Sequence, residues 1–295
     1  MDENEWLADR FEDHRAHLRS VAYRMLGSLP EADDAVQDAW LRVSRAGVGD
    51  VENLGGWLTT IVARVCLNML RSRSRRREEP LGLHLPDPVI GPARELQPEE
   101  EALLADSVNH ALLVVLDTLS PAERLAFVLH DMFELPFDEI APMVGRSPVA
   151  ARQLASRARR RVRGAEVPAP DPDLARQREV VDAFFRATRA GDFDALVALL
   201  DPDVLLRADY GRRRAPMLVR GVAAVAEQSR DIPGAVVRPA MVNGVAGAVI
   251  TVGGRSIAVM SFTVAEGKIV EIDAIADPQR VQRIAGAILG DEQPH

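Results

Sequence analysis

The chain has 295 residues but only one cysteine, Cys66, and one lysine, Lys268. A single cysteine excludes a disulfide within the chain and a Cys-rich zinc site, and it suits a reducing, cytoplasmic setting. Aromatic residues make up 4% of the composition, so the cores must be built from Ala, Leu, Val and Ile. No apolar run approaches the roughly 18–20 residues needed to span a bilayer. The acidic opening Met1-Asp2-Glu3-Asn4-Glu5 lacks the basic and apolar stretches of a signal peptide. The six histidines are His14, His17, His84, His110, His130 and His295. None lies within 176–290, which removes the commonest general acid–base residue from that stretch. No metal, cofactor or catalytic residue is expected.

The net charge of −8 argues against a nucleic-acid partner until its distribution is considered. Residues 57–77 carry six arginines and no acid, and residues 146–163 carry seven arginines and no acid. These two segments hold 13 of the 36 basic residues, leaving 23 against 44 acidic residues elsewhere. Two cationic segments on an acidic body predict two contacts with a polyanion.

Apolar spacing divides the chain. Leu7, Phe11, Leu18, Val21, Ala22 and Met25 mark a helix over 5–26 that Gly27 closes. A second helix, 31–45, has a stripe of Ala32, Ala35, Val36, Ala39, Trp40 and Val43. After a Gly-containing loop, 46–56, a third helix runs to about 75, with Cys66 in its apolar stripe. Five prolines and several glutamates make 78–100 an extended linker. Helical spacing resumes to 163, with Ser120-Pro121-Ala122-Glu123 as a capping box. A Pro-rich stretch, 166–175, forms a second linker. Beyond it come helices to Gly191 and over 193–200, a third near 221–229, and a closing helix at 278–289. Strands at 249–252, 257–262 and 269–275 are expected to form an antiparallel meander.

Residues 134–163 carry the strongest local signal. Phe137, Ile140, Ala141 and Val144 mark a short helix ended by Gly145, and Ser147-Pro148 opens a longer one. Two helices joined by a tight turn read as a helix-turn-helix, whose second helix enters the major groove. Ser147, Arg152, Gln153, Ser156, Arg157, Arg159 and Arg160 are the candidate DNA contacts. Arg and Gln suit bidentate base contacts, and the later arginines suit phosphates. A basic helix end matched to its own dipole is the plain alternative.

Three stretches together, 22–43 ("AYRMLGSLPEADDAVQDAWLRV"), 56–77 ("GWLTTIVARVCLNMLRSRSRRR") and 116–163, resemble an extracytoplasmic-function sigma factor. The C-terminal part resembles the SnoaL-like fold. The resemblance implies a multidomain chain: a sigma-2 domain over 1–77, a linker over 78–100, and a sigma-4 helix-turn-helix domain over 101–165. A second linker, 166–175, then leads to an α+β SnoaL-like cone with a curved antiparallel sheet over 176–295. It also implies core RNA polymerase and promoter DNA as partners. Asp33, Asp34, Gln37 and Asp38 would meet the β′ clamp helices, and the sigma-4 domain the β flap. Asn53, Trp57, Arg64, Asn68, Arg71, Arg73 and Arg75 would meet the −10 element, and the helix-turn-helix the −35 element. The acidic linker would thread toward the polymerase channels.

Three short signatures resemble those of a sigma subgroup with this extension: "HLPDP" (His84, Leu85, Pro86, Asp87, Pro88), "DYGRR" (including Asp209, Tyr210, Gly211) and "DPQRV" (including Asp277, Pro278). They imply a regulatory, interdomain role. In the cone, Asp209, Tyr210 and Asp273 are the remaining polar candidates for chemistry. A small-molecule ligand near Phe184, Phe185 and Tyr210 is a further expectation to test. The alternative reading is a ligand-sensing DNA-binding regulator, or a SnoaL-like enzyme, with a helix-turn-helix module.

Overall fold

A computed structural model describes residues 3–46, 51, 53–76, 85–92, 110–164, 169–211 and 214–289. The chain divides into two compact units. One comprises Met1–Pro80 and Leu112–Val167, and the other Leu81–Ala111 and Pro168–His295.

The first unit is helical. Helices α1 (Glu3–Leu26), α2 (Leu29–Ala46) and α3 (Leu54–Arg76) pack against one another. Leu7, Phe11, Leu18, Val21 and Met25 are buried with Ala32, Ala35, Val36, Ala39 and Val43. Leu58, Val62, Val65, Cys66 and Leu70 of α3 complete this core. Burial pushes the Cys66 thiol up to about 12, as the apolar-stripe reading of that residue requires. Helix α3 begins earlier than its spacing suggests. The Asn53 Oδ1 accepts from the Gly56 N–H at 3.0 Å and so caps its first turn.

The same unit contains α4 (His110–Asp117), α5 (Pro121–Phe127), α6 (Phe137–Val144) and α7 (Pro148–Gly164). The capping box forms as expected: Ser120 Oγ accepts from the Glu123 N–H, and Glu123 Oε2 accepts from the Ser120 N–H. Continuous helical spacing hides one feature. Helix α5 runs into a π turn, Val128–Met132, and Glu134 follows in the left-handed region at φ 57°. The Leu135 N–H then donates to Leu129 O at 2.9 Å. This hook turns Phe133 toward α1, where it meets His17 edge-on at 5.3 Å and lies 4.8 Å beneath the Arg24 guanidinium. Beside it Arg124, 2% exposed, donates from Nε to Arg24 O at 3.1 Å and from Nη1 to Asp117 at 2.6 Å. One buried guanidinium and one ring therefore join α5 to the α1–α3 bundle.

The second unit is an α+β cone. Helices α8 (Leu174–Ala190) and α9 (Phe193–Leu199) precede β2 (Leu200–Asp209), β3 (Met217–Arg220) and α10 (Val222–Gln228). Strands β4 (Ala235–Val242), β5 (Val245–Val252), β6 (Arg255–Ala265) and β7 (Lys268–Ile275) follow, then α11 (Pro278–Leu289). The short strand β1 (Ile90–Pro92) comes from the segment between the two helical groups. The sheet order is β1-β4-β5-β6-β7-β2-β3. The expected meander is its β5-β6-β7 part, turned at Gly253-Gly254 and Glu266-Gly267, all at positive φ as tight hairpins favour. One pair departs from the antiparallel expectation: β2 runs parallel to β7. Val204, Leu205 and Leu206 belong to this ten-residue strand.

Helices α8, α9 and α10 fill the concave face. Phe184, Phe185 and Phe262 meet there in a closed triad, with ring centroids 5.3–5.5 Å apart. Around them lie Val181, Leu196, Val204, Leu206, Val225, Ile250, Val264, Ile269 and Ile272. Three of the chain's few aromatics thus sit at the centre of one core. Phe262→Ala leaves a hole beside two rings that meet it edge to face. Truncating a buried Phe costs about 3–5 kcal/mol, so denaturant unfolding of this variant should show the cone transition lowered by that amount, with the helical unit's transition kept.

Candidate functional site

The first candidate site is α7 with the turn before it. Helix α6 ends at Gly145, φ 65°, whose left-handed backbone satisfies the last carbonyls of the helix. The Ser147 Oγ then accepts from the Ala150 N–H and opens α7. Ala151, Ala155 and Ala158 are buried, so small side chains let α7 lie close to α5 and α6. The opposite face is exposed and basic. Arg157 and Arg161 both pair with Glu123, at 3.0 and 2.8 Å. Arg159 pairs with Asp131 at 2.6 Å, and the Arg152 guanidinium lies 5.4 Å over the Phe137 ring. Gln153, Ser156 and Arg160 are exposed. Burial alone would raise the Glu123 carboxyl. Hydrogen bonds from Ser120 and Arg157 and the charge of Arg161 outweigh it and hold the group below its usual value. Glu123 therefore remains an anion that fixes α7 to α5. Arg157 and Arg159, expected as DNA contacts, are already engaged within the domain.

The second basic helix is α3. Arg64, Asn68 and Arg71 are exposed along it. Asn53 caps its start, and Trp57 is half-buried. Arg73 turns inward, donating to Leu26 O at 3.2 Å and pairing with Glu31. Arg75 lies in the last turn. On α2, Asp34 and Gln37 are exposed. Asp33 makes a two-point pair with Arg19, at 2.6 and 3.0 Å. Asp38 pairs with Arg42 at 2.7 Å.

The third site gathers the three short signatures in the second unit. Arg280 of α11, 7% exposed, donates from Nε to Asp87 at 2.7 Å and from Nη1 to Asp209 at 2.6 Å. Its Nη2 donates to Leu85 O. Asp209 also accepts from the Leu85 N–H at 3.0 Å and the Gly211 N–H at 2.9 Å. Asp277 caps α11 by accepting from the N–H groups of Gln279 and Arg280. A Cβ on Gly211, φ 71°, would collide with the Asp277 carboxylate, which is why glycine stands there. Tyr210 stacks under Arg214 at 4.2 Å. Next along the chain, Val89 and Asn243 exchange two hydrogen bonds, and β1 pairs with β4 in the register Ile90 to Val242. Pro86 and Pro88 lie in this held segment, and Pro278 opens α11. His84 lies outside the described residues. Arg280 was legible as part of the "DPQRV" signature, but its role was not, since its partners stand 71 and 193 positions away.

Asp273, named above as a polar candidate for chemistry, is buried. It pairs with Arg207 of β2 at 2.6 Å, and Glu271 shares that guanidinium at 3.0 Å. Burial pushes the Glu271 carboxyl up to about 7, helped by the Asp273 charge and opposed by Arg207. Phe184 and Phe185, expected beside a ligand, belong to the closed triad. Among the described residues no group of His, Cys, Asp and Glu is placed to hold a metal, and no helix is long and apolar enough to cross a membrane.

Comparison with known proteins bears on these sites. Residues 10–76 match Sigma-70 region 2 and residues 109–162 match Sigma-70 region 4. The chain is 40% identical to the ECF RNA polymerase sigma factor SigJ of Mycobacterium tuberculosis, over 92% of this chain and 91% of that protein. The chain belongs to the ECF sigma factor family. It is also 32% identical to the probable ECF sigma factor SigI of the same species, over 98% of this chain and 100% of that protein. The crystal structure of M. tuberculosis SigJ is similar at a TM-score of 0.70 and 35% identity, covering 92% of this chain and 97% of that one. The protein is thus a transcription initiation factor. Its sigma-2 and sigma-4 regions bind core RNA polymerase and promoter DNA, and the α+β cone follows them.

Two outcomes follow from the buried charges. In Arg280→Ala, Asp87 and Asp209 lose a common cation, a loss worth about 3–5 kcal/mol for a buried pair. Amide exchange over 85–92 should accelerate strongly, while exchange at β5 and β6 stays slow. The Glu271 effect has a defined sign. Its folded value lies above the unfolded one, so the native state holds the extra proton between about 4.5 and about 7. Relative to Glu271→Gln, the wild type should lose stability as pH rises through that window and run parallel to it above. Parallel curves throughout would assign Glu271 an ordinary titration.

Proposed function

We propose that this sigma factor is tuned by its own C-terminal cone, which holds the segment joining sigma-2 to sigma-4 as an edge strand. The observation that carries this reading is the Arg280–Asp87–Asp209 latch with the β1–β4 pairing beside it. A segment bonded in this way is not free to thread a polymerase channel. Its release requires breaking the hydrogen bonds from Arg280 to Asp87 and to Leu85 O, the one from the Leu85 N–H to Asp209, and a short ladder, so polymerase must compete with the cone for it. Tethering makes the cone's hold on the segment intramolecular, so that side of the competition does not depend on protein concentration.

In this reading α7 meets the −35 element, with Arg152, Gln153, Ser156 and Arg160 toward the DNA. Helix α3 meets the −10 element through Arg64, Asn68 and Arg71, with Arg73 and Arg75 further along the chain and Asn53 and Trp57 at its start. Asp33, Asp34, Gln37 and Asp38 of α2 face the β′ clamp helices, and the sigma-4 group meets the β flap. The basic helices supply salt-dependent affinity by displacing counterions from phosphates. The acidic remainder keeps the free factor from binding DNA unguided. The cone works by docking rather than by catalysis or ligand sensing, because three packed phenylalanines occupy its centre and no histidine lies in 176–290. The protein acts in the cytoplasm, where its polymerase is.

The test compares the full chain, a version ending near Pro168 and the Arg280→Ala variant, each mixed with bacterial core RNA polymerase. Co-elution and promoter-directed RNA synthesis are measured. All three should bind core, and Arg280→Ala should shift initiation in the same direction as truncation. Equal activity of full and truncated chains would remove the regulatory role. Failure of all three to associate with core polymerase would remove the assignment of the polymerase-facing residues.

A further inference from the structure

The engaged arginines of α7 define, by exclusion, which of its residues are left to read bases. At about 100° per residue, Ala151, Ala155 and Ala158 form the buried line. Arg157 and Arg161 lie on one flank, held by Glu123. Arg152 and Arg159 lie on the other, held by the Phe137 ring and by Asp131. The strip between the flanks, opposite the alanines, carries Val149, Gln153, Ser156 and Arg160. Val149 is 61% exposed. It stands in the first turn of α7, the part of a recognition helix that approaches base edges. A β-branched apolar residue there gains nothing in the free protein, neither helix propensity nor burial.

The base edges of the major groove carry donors, acceptors and one apolar group, the C5 methyl of thymine. Gln153 lies one turn further along the same strip, and its carboxamide matches the N6/N7 edge of adenine. One turn advances about 5.4 Å, between one and two steps of about 3.4 Å along a DNA strand. The Ser147 Oγ accepts from the Ala150 N–H, which holds it at the start of α7.

We propose that Val149 packs on a thymine methyl, and Gln153 pairs with an adenine one or two steps away, so that together they set sequence preference within the −35 element. This rests on the reading of α7 as the −35 helix. Arg160, at the far end of the strip, and the flanking arginines then contribute affinity rather than choice of base.

Holoenzyme assembled from core polymerase and the full chain tests this. A promoter is first selected from a library randomised at −35. Binding is then measured to duplexes in which each −35 thymine in turn is replaced by deoxyuridine, which lacks only the methyl. One position should weaken wild-type binding about four-fold, the value of one buried methylene-sized group. Val149→Ala should be insensitive to deoxyuridine at that position and unchanged at −10. Gln153→Ala should keep the deoxyuridine effect and lose preference at a neighbouring A·T pair. A Val149→Ala holoenzyme as sensitive as wild type, or a wild type indifferent to every methyl while still discriminating −35 sequences, overturns the proposal. A wild type that selects no −35 sequence at all fails earlier, at the assignment of α7 itself.

Discussion

A guanidinium removed from water is costly unless carboxylates and carbonyls surround it in good geometry. This chain does so with Arg124, Arg207 and Arg280, each under 10% exposed. Each joins segments distant in sequence. Arg124 ties α5 to the end of α1, Arg207 ties β2 to β7, and Arg280 ties α11 and β2 to the segment before β1. Apolar packing alone, in cores built mainly of small aliphatic residues, specifies such long-range pairings weakly. Fork-shaped hydrogen bonding to carboxylates adds direction.

The same residue type serves the opposite purpose at the surface. On α7 the arginines that could scatter over phosphates are partly tied back by Glu123 and Asp131, and the helix is thereby held at a fixed angle and rotation. Preorganisation of this kind reduces the entropy lost on binding DNA. In the cone, the buried carboxylates Asp87 and Asp209 depend on Arg280, so the junction between the sigma regions is sensitive to one side chain.

Much of this organisation is legible before any coordinates. The stripe of Leu18, Val21, Ala22 and Met25, the Ser120–Glu123 box, Gly145 before Ser147-Pro148 and the Gly253-Gly254 turn are local signals. Each reflects a rule that acts within one or two turns of chain. Local rules do not reveal the π turn at Val128–Met132, because its residues keep helical spacing while the hydrogen bonds shift by one. Nor do they reveal that β2 lies parallel to β7, or that residues 85–92 are built into a sheet whose other strands begin more than a hundred positions later. The prolines there read as linker because they exclude helix. They are equally compatible with an edge strand, where a missing N–H costs nothing.

The two Arg-rich helices, the helix-turn-helix, the family resemblance and the order of helical groups and cone were determined by sequence alone. These are carried by periodicity, caps and charge, which the chain displays linearly. Tertiary structure alone decided which arginines face outward and which are spent on partners. Arg157, Arg159 and Arg73 look the same in sequence as Arg64 and Arg160. Only the carboxylate that folding brings within 3 Å distinguishes them, because the Coulomb and hydrogen-bond energy that settles a guanidinium depends on distance in space and not on separation along the chain.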